Sequence, residues 1–240
     1  MELKNKVIAI TGAKGGIGET LVSLLEKEKT ELILINKKFE KENKRHKYFE
    51  CDLANRKEIL NLTKKLKENF TSIDLLINIA GIGVYKSIEE ATIAEWDESF
   101  SVNVTAPFIL TKELLPLLQK SSDSLVVNIG SGAGVIPMKN RSLYCSTKFA
   151  MRGMTLSLAE EFKDRNPKFC LITLGSTLTP FGIGKALTLE EKVKAHQKGA
   201  AYFTTEWVAN KLIEIIKDKN RKTEIVLYPG DYGFGTWKKP

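Results

Sequence analysis

The chain has 240 residues, enough for one sizeable α/β domain with a large buried core. Hydrophobic content of 42% and charged content of 28% are ordinary for a globular protein, and no apolar run approaches the roughly 18 residues of a membrane span. The net charge of +8 comes from basic residues spread among glutamates, with no zinc-finger spacing, RNP-like aromatic motif or heptad repeat, so no nucleic-acid or membrane partner is expected.

The N-terminal stretch MELKNKVIAITGAKG reads straight into a strand, with no apolar leader and cleavage site. Apolar β-rich runs follow at 6–11, 31–36, 47–53, 73–80, 124–130, 168–175 and 223–228. Helical patterns fall between them at about 17–29, 55–69, 90–120, 142–165 and 205–218. Nearly all-apolar strands alternating with helices predict a single doubly wound α/β domain spanning 1–240, a parallel sheet covered on both faces. Its ligand is expected beyond the carboxyl ends of the strands. The link from the second strand to the third, 37–46, is too short and too charged for a full helix, and KKFEKENKRHK (37–47) reads first as a solvated loop. Cys51, Cys145 and Cys170 form no CxxC pair, and an odd count argues against a disulfide framework, so a reduced, cytoplasmic setting is expected.

The first strand runs into TGAKGGIG, 11–18, and a helix follows. Gly12, Gly16 and Gly18 can supply a tight turn, close backbone approach and close helix packing, while the helix N-terminus offers free N–H groups to a diphosphate. The spacing is neither GxGxxG nor a Walker A loop. At the tip of the second strand, where an acid would bind the ribose of NAD, stand Asn36, Lys37 and Lys38, with Lys14 in the turn. An amide does not repel a 2′-phosphate and the lysines attract one, so NADP is favoured and NAD is the alternative. The stretch LYCSTKFA sets Tyr144 and Lys148 one helical turn apart, on one face. Alone, that pair also fits a half-buried Tyr packed on a Lys stem. A serine hydrolase is poorly supported, because Ile129 stands where the elbow before Ser131 needs Gly. His46 and His196 lie in charged segments and are expected to be exposed, and no His/Cys/Asp cluster has metal-ligand spacing, so no metal is expected.

Taken together, these motifs resemble the short-chain dehydrogenase/reductase family over essentially the whole chain. TGAKGGIG resembles its TGxxxGxG turn, and NIAG (78–81) its NNAG element, with Ile79 in place of Asn. Asn103, Ser131 and YxxxK at Tyr144 and Lys148 fall in order, with 13 residues from Ser131 to Tyr144. LGSTLT (174–179) resembles the nicotinamide-side PGxVxT segment with Leu174 in place of Pro, which removes a fixed φ and predicts a looser loop. The resemblance implies catalytic roles for Asn103, Ser131, Tyr144 and Lys148. It implies cofactor contacts at Gly12, Lys14, Gly15, Gly16, Ile17 and Gly18 in the turn, and at Asn36, Lys37, Lys38, Asp52 and Leu53 on the adenosine side. Asn78, Ala80, Gly81, Tyr144, Lys148, Gly175, Thr177 and Thr179 complete that set.

On this reading hydride passes between NADP(H) and a carbonyl or alcohol, with Tyr144 as acid or base. A Lys148 ammonium about 4 Å away would favour the phenolate by about 4 kcal/mol at an effective dielectric of about 20, enough to lower the phenol by two to three pKa units before desolvation opposes it. Ser131 would stabilise charge on the substrate oxygen, and Asn103 would help hold a water that relays protons. Substrate selection is expected at Val84, Tyr85, Gly132 to Met138 and a lid at about 181–200. The lid mixes apolar residues with lysines, so an apolar carbonyl compound and one with an anionic handle both fit. A homodimer or homotetramer is expected from the resemblance alone. The tail DYGFGTWKKP could pack on a neighbour or cover a sheet edge. The alternative from another class is a catalytically idle cofactor-binding redox sensor or scaffold, which would need the glycine turn but not the four catalytic residues.

Overall fold

A computed structural model describes residues 1–40, 43–184 and 186–236. The strands, in chain order, are β1 (Val7–Thr11), β2 (Glu31–Asn36), β3 (Lys47–Glu50), β4 (Leu75–Asn78), β5 (Val84–Tyr85), β6 (Leu125–Ser131), β7 (Lys168–Leu174), β8 (Ile183–Gly184) and β9 (Glu224–Leu227). The α-helices are α1 (Gly16–Leu25), α2 (Arg56–Asn69), α3 (Ile93–Phe100), α4 (Ala106–Lys120), α5 (Ser142–Glu161), α6 (Leu189–Gln197) and α7 (Thr205–Lys217). Seven strands form one parallel sheet in the order β3-β2-β1-β4-β6-β7-β9, as the apolar runs predict.

The pleat divides each strand between two cores. Ile8, Ile10, Leu32, Leu34, Leu75 and Ile77 join α1 and α7 on one face. Ala9, Ile33, Ile35, Leu76 and Val126 join α2, α4 and the end of α5 on the other. The strand order reverses direction between β1 and β4, which opens a crevice at their carboxyl ends.

Caps set several boundaries. Asn55 accepts from the Lys57 and Glu58 amides at the start of α2. Thr92 with Glu95, and Thr188 with Glu191, form capping boxes that start α3 and α6. The helical pattern at 17–29 ends earlier than expected, because α1 tightens into a 3-10 turn, Glu26–Glu28, and Lys29 turns left-handed. The pattern at 90–120 is not one helix: a π-helical turn, Ser101–Thr105, separates α3 from α4 and holds Asn103. The link 37–46 holds no helix among its described residues.

A polar thread crosses the core and fixes the height of α5. Asn78 Nδ2 donates to Asn128 Oδ1 at 2.8 Å, Asn128 Nδ2 to Thr155 Oγ1 at 2.9 Å, and Thr155 Oγ1 to the Met151 carbonyl at 2.7 Å. His46 is buried rather than exposed: its Nε2 meets Glu26 Oε1 at 2.6 Å, because β3 docks the ring against the turn after α1. His196 is partly buried, with Nδ1 3.0 Å from the Ala200 carbonyl oxygen. The described part of the tail covers its own chain. Tyr232 and Phe234 pack on Trp207, which stacks on Phe203 at 4.1 Å between ring centroids. Residues 237–240 of the tail expectation lie outside the described residues. No described helix is long and apolar enough to cross a membrane, and no group of three His, Cys, Asp or Glu among the described residues is placed to hold a metal ion.

Candidate active site

A cleft of about 960 Å³ opens at the carboxyl ends of β1, β2, β4, β6 and β7. Gly12, Gly15, Gly16 and Ile17 form its floor at the start of α1. Gly12 turns at φ +70°, and a Cβ there would stand 2.9 Å from the Ala80 backbone. A Cβ on Gly18 would stand 2.1 Å from the Gly12 carbonyl oxygen, so only glycine lets the helix start this close to the strand. Gly15 caps α1 without a side-chain bond, so no side chain occupies the N–H groups of the first turn. These bare amides and the dipole end suit a diphosphate. A dinucleotide therefore fits the residues present.

Asn36, Lys37, Asp52 and Leu53 line the neighbouring end. Lys37 Nζ lies 2.6 Å from Asp52 Oδ2, and that contact raises the lysine and holds the carboxyl below its ordinary range. Lys14 pairs with Glu19 at 2.8 Å. Asn36 Nδ2 donates to the Lys38 carbonyl at 3.0 Å. Neither Lys14 nor Lys38 lines the cleft.

At the other end, Ser131 closes β6 and its Oγ accepts from the Ala133 amide at 3.2 Å. Tyr144 projects from the first turn of α5, buried between Tyr85 and Phe181 at ring-centroid distances of 5.6 and 5.7 Å. Lys148 follows one turn later. Its Nζ donates to the Ile129 carbonyl at 2.8 Å and lies 5.8 Å from the centre of the Tyr144 ring. Desolvation lowers this ammonium to about 8. Burial also pushes the Tyr144 phenol well above its ordinary value, Tyr85 adds to this, and a hydrogen bond from Ser131 pulls the other way. The expected lowering by Lys148 is therefore not what the structure holds. The ammonium lies 5.8 Å from the ring centre, and desolvation of the buried phenol is the larger effect.

Asn103 is buried and occupied. Its Oδ1 accepts from the Ile82 amide at 2.8 Å, and its Nδ2 donates to the Ile82 carbonyl at 2.8 Å and to Thr147 Oγ1 at 3.0 Å. It thereby ties the loop after β4 to α5, and it does not line the cleft. Asn78 is also away from the cleft, in the polar thread, and Gly18 lies beneath the turn. Ala80, Gly81, Gly175, Thr177 and Thr179 do line it.

The loop after β7, which follows Leu174, is tied to β9 and to the stretch before α7. The Gly175 amide donates to the Leu227 carbonyl, and the Leu178 amide and Phe203 carbonyl join at 2.9 Å. Lys192 on α6 donates to the Thr179 and Phe181 carbonyls, each at 2.8 Å. Of the expected substrate-side residues, Tyr85, Gly132, Ile136, Pro137 and Met138 face the cleft, while Val84 is buried behind it. The expected lid carries β8, which pairs with β5, and then α6; Lys185 lies outside the described residues. Arg141, Tyr202 and Tyr228 also line the cleft and escaped the sequence reading. Arg141 had a visible signal, three positions before Tyr144 at a helix start.

The geometry is that of a cleft with a glycine turn at one end and the buried Tyr144 and Lys148 at the other. A family model for short chain dehydrogenase matches residues 6–189. An uncharacterized oxidoreductase of Thermotoga maritima is 31% identical over 188 residues, covering 74% of each chain. A solved 4-hydroxyisoleucine dehydrogenase complexed with NADH is 27% identical, with a TM-score of 0.82 over 94% of this chain and 98% of its own. An alcohol dehydrogenase of Thermococcus sibiricus, complexed with 5-hydroxy-NADP, shares the fold at 23% identity, with a TM-score of 0.81 over 98% of this chain and 100% of its own. Fold and relatives define an oxidoreductase of the doubly wound class. The chain belongs to the short-chain dehydrogenase family.

Lys148 is lowered in the folded state relative to an unfolded lysine, so the unfolded chain binds more protons between about pH 8 and the ordinary lysine value of 10.5. The stability cost of its charge is full below about pH 8 and fades as pH rises towards 10.5. Lys148→Met should stabilise the cofactor-free protein by about 1–3 kcal/mol at neutral pH, shrinking towards zero by about pH 10. Urea unfolding at several pH values reads this directly, and a gain that grows with pH would contradict it.

Proposed function

We propose that this chain transfers hydride between NADP(H), in preference to NAD(H), and a carbonyl/alcohol pair, with Tyr144 as the proton-transferring group. The placement of Ser131, Tyr144 and Lys148 at the end of a cleft that also contains the glycine turn carries the reading. The relatives solved with NADH and with 5-hydroxy-NADP support a nicotinamide cofactor. When bound, that cofactor supplies or accepts the hydride.

The chain's own residues do the rest. The first turn of α1 holds the diphosphate on its amides, and Asp52 and Leu53 border the adenosine end. Lys37 meets a 2′-phosphate by exchanging its exposed pair with Asp52, a pair worth at most about 1 kcal/mol. Gly81, Gly175, Thr177 and Thr179 wall the reacting end. Ser131 donates to the substrate oxygen as negative charge develops. Tyr144, kept protonated by burial, gives that oxygen its proton during reduction. Lys148 holds positive charge beside the ring and offers donors to ribose hydroxyls. Asn103 acts as a positioning residue, holding the Ile82 backbone against α5. Phe181, Ala186 and Leu187 wall the reacting end, and Lys192 ties α6 to the Thr179 and Phe181 carbonyls.

Tyr144→Phe keeps the ring and removes the proton. Its turnover should fall at least about a hundredfold with cofactor affinity almost unchanged, and normal turnover would sink the mechanism. Lys37→Ala should weaken NADPH by about tenfold and NADH by no more than about twofold in fluorescence titrations. Equal losses would remove the NADP preference and leave the reaction class standing.

A further inference from the structure

We propose that the substrate carries an oxyanion, a carboxylate or a phosphate monoester, which Arg141 holds with help from Lys192, near the Tyr85 ring that also packs on Tyr144. This deepens the oxidoreductase reading by naming a substrate class, and it rests on that reading for the reacting group alone.

Arg141 precedes α5 and lines the cleft, so the same turn sets both it and Tyr144. Its guanidinium carbon stands 4.2 Å over the Tyr85 ring, and Nη1 reaches only the Met138 sulfur, at 3.3 Å, a weak acceptor. No carboxylate pairs with it among the described residues. Arg152, on the same helix, shows the contrasting case: Nε and Nη2 each lie 2.8 Å from Glu224 oxygens in a bidentate pair. A guanidinium offers five donors in a plane shaped for a carboxylate or phosphate, and the Arg141 donors remain largely unused.

Lys192 adds a second cation. It is buried, and its bonds to the Thr179 and Phe181 carbonyls leave one ammonium hydrogen for a ligand. Arg141 lies close enough to lower it further after burial, and no acid among the described residues offsets that effect. The acids lining the cleft, Asp52 and Glu98, belong to the Lys37 end. Among the described residues that line it, the reacting end therefore gathers Arg141, Lys148, Lys192 and the exposed Lys139 with no acid beside them. Cations gathered in a partly desolvated pocket repel one another, and an oxyanion relieves that cost. The walls beside them include Met138, Phe181 and Leu187, which suit a short apolar spacer between the anion and the reacting carbon.

The test compares matched pairs that differ in charge: 4-oxopentanoate with its methyl ester, and 1-hydroxy-2-butanone phosphate with the free hydroxyketone. Two readouts are taken, kcat/KM with NADPH in the wild type, and calorimetric affinity for the NADP-loaded Tyr144→Phe variant, where no turnover is needed. The charged member should win by at least about tenfold in both readouts in at least one pair, and the pair with the larger ratio names the anion. Arg141→Met should bring the ratio to about one, and Arg141→Lys should restore part of it. Equal treatment of charged and neutral members by the wild-type and Tyr144→Phe chains overturns the proposal without any Arg141 variant. So does a ratio that survives in a folded Arg141→Met protein. A tenfold binding preference with no turnover of any compound would leave the anion site standing and remove the oxidoreductase reading; turnover without charge preference would do the reverse.

Discussion

The arrangement depends on one buried charge. Lys148 sits inside the protein with a single carbonyl, that of Ile129, as its fixed partner, and the cost shows in an ammonium lowered to about 8. Such a group persists only where the surrounding structure holds it. Here α5 is held at three heights: Asn103 grips Thr147, Asn128 grips Thr155, and Tyr144 wedges between Tyr85 and Phe181. Each tie reaches a different neighbour, the π turn before α4, the strand β6, and the segments joined by β5 and β8. The reacting pair is thus positioned by the core itself.

The same burial decides the protonation of Tyr144. A lysine one turn away suggests a phenol eased towards its anion, but desolvation has the larger effect and the phenol stays protonated. The cleft is correspondingly asymmetric. The cation lining its glycine-turn end, Lys37, is paired with Asp52, while the cations lining its other end have no acid beside them among the described lining residues.

The sheet was legible because fully covered parallel strands are written as short apolar runs, and all seven appear within a few residues of their expected bounds. The glycine turn and the Tyr144–Lys148 pair were legible because steric demand and helical spacing act locally. What escaped depends on contacts between distant segments. The π turn at Asn103 leaves the helical pattern of 90–120 intact to the eye. Two-residue strands such as β5 and β8 carry no periodicity. His46 looks exposed among lysines until Glu26, twenty positions earlier, closes over it. Asn78 sits in a motif that suggests cofactor contact, yet its amide serves Asn128. Arg141 stands out only once the walls around it show no acid paired with it among the described residues.

The central claim is that this cleft moves hydride between a nicotinamide and a substrate carbon. The most direct measurement supplies NADPH or NADH deuterated on the transferred face of C4, together with the ketone pairs, and follows the label by mass spectrometry. Deuterium on the carbinol carbon of the alcohol product, delivered more readily from NADPH, is the predicted result. Tight cofactor binding with no deuterium in any product would contradict it and leave a protein that holds the nucleotide without using it.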